Sequence, residues 1–268
     1  MLEHYPGLSE ILDTIDRLSK YEVEKGLAEE RLERRYKIRA ALVPLWKNYI
    51  SMHVDKFNRY KEMADHGTIH ISNMINLAAD LLLPLYEGKN LKEDFHKLPL
   101  NAEELFILIG GIFLHDVGMA DIKTKNAHDL HSIRERHGLL SYEFLMSYHQ
   151  QGDPANLFPT LDEEEKKLIA LMALHHHNRA VIHETDGRIL KEKGGKPFED
   201  IPSLNDRYPQ GATFNGVKVN IVIIPAILRF LDSFDTQYSR AGSIWLSRVQ
   251  LDNNRRLKIG RASCRERV

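Results

Sequence analysis

The chain has 268 residues, 43% hydrophobic and 28% charged, with 37 basic against 38 acidic side chains, the profile of one large globular domain or a domain and a half. So even a charge balance gives no general nucleic-acid surface. The one cysteine allows neither an intramolecular disulfide nor a cysteine-based zinc site, and no uncharged apolar run approaches the ~18 residues of a membrane span.

At the N-terminus, Glu3 comes early and no apolar core follows, so no signal peptide is predicted and the expected compartment is the cytoplasm. Leu8, Ile11, Leu12, Ile15 and Leu18 recur at helical spacing. Tyr21 to Arg39 mixes Glu, Lys and Arg as a solvated helix face does. Trp46, Tyr49, Ile50, Val54 and Phe57 continue an amphipathic pattern. Residues 1–62 are thus expected to form a helical extension that offers a face to a second copy of the chain. The next helix is predicted from about Thr68 to Leu83, with Asp65 as its N-cap. Asn101 with Glu104 makes a capping box ahead of the apolar run Leu105–Leu114. A helix through Leu139, Leu140, Phe144 and Leu145 follows. Thr160 with Glu163 makes a second box, before Leu168, Ile169, Leu171, Met172 and Leu174. Residues 178–220 are rich in Gly, Pro, Asp and Asn and too long for a connector, so they read as a lid, an insertion or a mobile loop. Asn215-Gly216 predicts a small hairpin within them. The last strong helix ends near Asp235.

Residues 259–268, IGRASCRERV, match the translation of a common sequencing-library adapter and are expected to be an artefact of it. The expectation is a native chain cut near Leu257, with 241–258 the start of a truncated downstream segment. Without that tail the chain has 34 basic and 37 acidic residues and no cysteine.

Fourteen histidines are the unusual count, and they are not evenly spread. His115-Asp116 ends a capped, wholly apolar helix, with Gly118 expected as the stop. A buried helix end that delivers an imidazole and a carboxylate together must satisfy both, and a divalent ion does so. A helix dipole favours the histidine there but disfavours the acid. His128-Asp129 follows no such helix and is expected at the surface. His70 is in register with Met74, Leu77, Ala78 and Leu81, on the buried stripe of its helix, with His66 one turn earlier. Asp232 lies among Leu228 and Leu231 near a helix end and needs a cation or donors, Arg229 being the plain partner. His175-His176-His177 closes one helix, and His137 precedes another apolar stretch.

Taken together, His70, His115-Asp116 and Asp232 resemble the H…HD…D signature of the HD superfamily of metal-dependent phosphohydrolases. Phe113-Leu114-His115-Asp116-Val117-Gly118-Met119 is similar to its central motif, and Leu228 to Asp235 to its last helix. His137 and His176-His177 fall where binuclear members, the HD-GYP group among them, place extra ligands. Asn178 stands where that group has Glu, and its Gly-Tyr-Pro element is absent, which argues against cyclic-di-GMP as substrate. The resemblance covers about Asp65 to Arg240.

It implies an all-α fold, an HD-domain helical bundle over 63–240. His70, His115, Asp116 and Asp232 would hold a first ion. Asp116 would bridge to a second, held by His137, His176 and His177. Such an all-N/O set suits Mn, Fe, Ni, Co or Mg. The implied reaction is hydrolysis of a phosphomonoester or phosphodiester, in a nucleotide or similar small phosphate, by metal-activated hydroxide. Asp116, His66, Arg134 and Arg136 are the candidate catalytic residues, His66 for proton transfer. Lys123, Lys125 and Arg240 are the candidate substrate-binding cations, beside the two arginines. The alternative is a regulatory module that binds metal or nucleotide and controls a missing C-terminal domain. A plain interaction domain rich in structural histidines would require every motif to fall at its helix end by coincidence.

Overall fold

The computed structural model describes residues 6–26, 67–120, 130–147, 161, 163–198, 201–214 and 217–235. The architecture of these residues is all-α apart from one small hairpin. Helix α1, Pro6–Glu24, buries the predicted stripe of Leu8, Ile11, Leu12, Ile15 and Leu18 against α2, Thr68–Leu82, and α3, Ala102–Leu114. That stripe is therefore spent inside the chain's own core and is not offered to a second copy. Trp46, Tyr49, Ile50, Val54 and Phe57 lie outside the described residues.

Helix α3 is the centre of the bundle, and every one of its residues is buried. Its capping box is as the sequence predicts: the Asn101 side chain accepts from Glu104 N, and Asn101 N donates to the Glu104 carboxylate. Glu22 of α1 adds a second acceptor, taking a hydrogen bond from Ala102 N at 3.0 Å. Anionic groups at this end answer both the orphan N–H groups and the positive end of the helix dipole. The N-cap of α2 is Gly67, not Asp65, and makes no side-chain cap bond. Asp65 and Thr160 themselves lie outside the described residues.

Helices α4, Leu130–Ser147, and α5, Glu163–His175, pack on each other, and α5 lies against α3. Residues 178–220 are not a structureless loop. They contain α6, Glu184–Glu192, a short helical turn at Leu204–Arg207 and the strands β1, Ala212–Phe214, and β2, Val217–Val219. Main-chain bonds from Leu204 to Val181 and from Phe198 to Arg179 tie this stretch together. The strands pair antiparallel with Phe214 opposite Val217, as the hairpin predicted around Asn215-Gly216 requires, those two residues themselves lying outside the described ones. Helix α7, Ile223–Phe234, then returns across α3 and α5 with Ile224, Leu228 and Leu231 inward. Among the described residues no single helix is long and apolar enough to cross a membrane.

Gly118 is not the left-handed stop expected after α3. The positive-φ glycines among the described residues are Gly26, Gly88, Gly194 and Gly211, and Gly118 sits in a tight helical turn, Val117–Ala120. Space is what it supplies: a Cβ there would stand 2.4 Å from Ser141 N and 2.5 Å from His137 O. Gly138 does the same between α4 and the end of α5, where a Cβ would meet His177 Cβ at 2.7 Å.

Candidate metal centre

The apolar interiors of α2, α3 and α5 and the close approach of α4 bring five histidines and two aspartates to one place. His70 comes from the buried face of α2 and His115 is the C-cap of α3, both fully buried. Asp116 follows in the turn below α3 and is also buried. Its two carboxylate oxygens face different histidines. Oδ2 is 3.1 Å from His115 Nε2 and 3.7 Å from His70 Nε2. Oδ1 is 3.4 Å from His137 Nε2 and 3.7 Å from His176 Nε2. Asp232, about a third exposed, closes the first group with Oδ1 3.4 Å from His70 Nε2.

Three of the ring Nδ1 atoms have defined acceptors. His115 Nδ1 donates to Ile112 O at 2.9 Å, and His176 Nδ1 donates to Ala173 O. His70 Nδ1 donates to Asp235 Oδ2 at 2.6 Å. Each ring therefore presents its Nε2 lone pair to the centre. Yet His70 Nε2 and His115 Nε2 are 3.1 Å apart, and His137 Nε2 and His176 Nε2 are 2.9 Å apart. In the His70–His115 pair, where both Nδ1 atoms are engaged, facing lone pairs at 3.1 Å repel unless a proton or a metal ion lies between them. Two imidazoles on one ion, with bonds of about 2.0–2.1 Å at 90–110°, place their nitrogens about 2.9–3.4 Å apart. Both pairs fit. Sets of ligand atoms compatible with one ion are His70, His115 and Asp232, and His115, Asp116 and His176. The centre can hold one or two divalent ions, as the sequence predicts.

The electrostatics agree. Burial lowers the His115 imidazole, but the carboxylates of Asp116 and Asp232 outweigh it and raise it, so this pocket favours positive charge. His176 is driven well down, first by burial and then by His115 and His137. It stays neutral, as a ligand must. Burial also takes His177 down to about 3, with His137 and Arg179 adding to it. The His177 ring stands 4.8 Å from that of His137 and stacks on Phe198 at 5.3 Å, on the outer side of the second group.

Three positioning residues escaped the sequence reading. Asp235 accepts from His70 on one oxygen and from Asn73 Nδ2, 3.0 Å away, on the other. Ser141 of α4 donates to His115 O and accepts from Gly118 N at 2.8 Å, which pins the turn carrying Asp116. Each is one helical turn from a predicted ligand: Asn73 from His70, Ser141 from His137, Asp235 from Asp232. That spacing is the signal that could have found them. Arg229 does not serve Asp232. Its guanidinium is given to the main-chain carbonyls of His175, His177 and Ala180.

Of the remaining candidates, Arg136 is exposed on α4, one residue from His137, and the Arg134 backbone lies in the same helix. His66, Lys123, Lys125 and Arg240 lie outside the described residues, as do His128-Asp129 and residues 241–268.

The HD-CE family model matches residues 57–263. The chain belongs to the HD-CE family. No curated protein and no solved structure gives a significant match. Family membership and the two ligand groups together bear out the HD-superfamily resemblance and the metal-dependent phosphohydrolase it implies.

Proposed function

We propose that this HD-CE centre hydrolyses the phosphoester of a nucleotide or closely similar small phosphate. The observation that carries the reading is Asp116, which turns one carboxylate oxygen to His70 and His115 and the other to His137 and His176. A single buried carboxylate shared in this way is how two ions are held close enough to act on one phosphoryl group. Divalent ions held there supply Lewis acidity and lower the pKa of a water from 15.7 towards ~7.

The chain's own residues do the rest. His70, His115 and Asp232 hold the first position and Asp116, His137 and His176 the second, with His177 beside it. Asp235 and the carbonyls of Ile112 and Ala173 keep three rings in the tautomer that offers Nε2. Asp232, about a third exposed, is the most open of these ligands and gives solvent and substrate a way to the centre. We assign the phosphoryl oxygens to Arg134 and Arg136, which precede His137 on α4, with Lys123, Lys125 and Arg240 as further cations, and proton transfer to His66. The uneven charge of a phosphoester transition state needs such donors.

The test is metal content by plasma mass spectrometry beside a panel of nucleotides and simple phosphoesters, on the parent and on Asp116→Ala. The expected result is one or two equivalents in the parent, loss of both in the variant, and turnover falling at least ~10³-fold. Metal retention with no turnover of any phosphoester would favour the regulatory module. A parent that takes up no Mn, Fe, Ni, Co or Mg would sink both.

A further inference from the structure

The last carbonyls of α5 have no partner within their own helix. Such ends are usually closed by a glycine in the left-handed conformation or by a nearby basic side chain. Here the chain runs on through His176, His177 and Asn178, with no glycine. The closure comes from another helix. Arg229, on α7, sends Nε to His175 O at 2.8 Å and Nη2 to His177 O at 2.9 Å and to Ala180 O. A guanidinium is a rigid planar fork of five donors, so carbonyls on either side of His176 are gripped by one fixed plane. Asp186 holds the far side of that plane, with Oδ2 3.7 Å from Nη1. Asp186 is itself anchored at the start of α6 by the main-chain N–H of His183.

Arg229 and Asp232 are one turn apart on α7. One side chain joins the first ligand group, and the other fixes the segment that carries His176 into the second. We propose that Arg229 is a positioning residue that makes the second metal site, by holding the end of α5 so that His176 stays within reach of Asp116 and His137. The proposal rests on the metal-dependent reading above. The first group does not depend on this grip, because His70, His115 and Asp232 come from α2, the end of α3 and α7. The second does, because His176 lies just past the last turn of α5. Loss of the fork therefore affects the two groups unequally, which a general loss of stability would not do.

The experiment is a cobalt(II) titration of the full chain, followed by visible absorption and by metal content after gel filtration. It compares the parent with Arg229→Lys and Arg229→Gln. Lysine keeps the charge but not the fork, and glutamine keeps a donor but not the charge. The expected result is two equivalents in the parent. Both variants keep the helical circular dichroism and the first equivalent, and bind the second about tenfold or more weakly. Parent-like binding of the second equivalent in both variants overturns the proposal. So does weakening of both equivalents together with loss of helical signal, which would make Arg229 a general strut. A parent that binds only one equivalent also overturns it while leaving the metal-dependent reading intact, and a parent that binds none sinks that reading itself.

Discussion

Asp235 Oδ2 stands 2.6 Å from Nδ1 of His70, while the other nitrogen of that ring faces His115 at 3.1 Å. The carboxylate fixes the proton on Nδ1 and makes Nε2 a stronger base. Asn73 holds the second carboxylate oxygen at 3.0 Å, so the acid cannot rotate away. Asp235→Asn keeps the shape and removes the charge. The first ion is expected to bind about 10–100-fold more weakly, with secondary structure unchanged. Competition with a chromophoric chelator measures this, and a parent-like affinity would reduce Asp235 to a packing residue.

Ser141 joins two helices through one hydroxyl, donating to His115 O and accepting from Gly118 N. Ser141 is fully buried, so its loss leaves a carbonyl and an N–H without partners and without water. Ser141→Ala is expected to cost about 1–3 kcal/mol in urea denaturation. Metal content should fall less than in Asp235→Asn, because no ring nitrogen loses its partner. A variant as stable as the parent would show that the Asp116 turn is held by packing alone.

Those two residues also show where sequence reading stops. Ligands such as His70, His115, Asp116 and Asp232 are legible because each breaks an apolar pattern, and a buried imidazole or acid needs a reason. The capping box at Asn101 and the hairpin at Asn215-Gly216 are legible because local geometry dictates residue type. Asp235, Ser141 and Arg229 carry no such signal of their own: the meaning of each is a contact with a distant element. His70 and Asp235 are 165 residues apart in the chain. Gly118 was misread for a related reason. A glycine after a helix suggests a left-handed stop, whereas here the constraint is the backbone of α4 passing close by.

Gly138 tests how closely α4 must approach. A Cβ there would lie 2.7 Å from His177 Cβ and 3.0 Å from Leu174 O, neither of them the far end of a flexible side chain. Gly138→Ala must therefore push α4 off the end of α5. The expected cost is about 1–3 kcal/mol of stability. His137 recedes from His176 as the helices part, so the second ion should be lost in preference to the first. Urea midpoints and metal stoichiometry on the same preparation read both effects. Unchanged stability with two ions retained would mean that the helix pair can yield at no cost.

Acid should destabilise the native state through His175. Its ring is buried, Nδ1 donates to Leu171 O, and Nε2 has no hydrogen-bond partner among the described residues. Burial, with Arg229 and Arg207 as nearby positive charges, takes this imidazole down to about 4. In the unfolded chain it titrates near ~6.5. Between those values the unfolded state takes up a proton that the native state refuses, so stability present above about pH 6.5 is lost as the pH falls towards 4. The size is roughly 3 kcal/mol. His176 and His177 are lowered as well and act in the same sense. His175→Phe removes one of these titrations, and its stability should fall less than the parent's between about pH 7.5 and pH 5. Urea denaturation of both proteins with a chelator present makes the comparison, since protonated ligands would otherwise release metal and add their own slope. Parallel pH curves for the two proteins would show that the neutral His175 ring is not a source of the acid sensitivity.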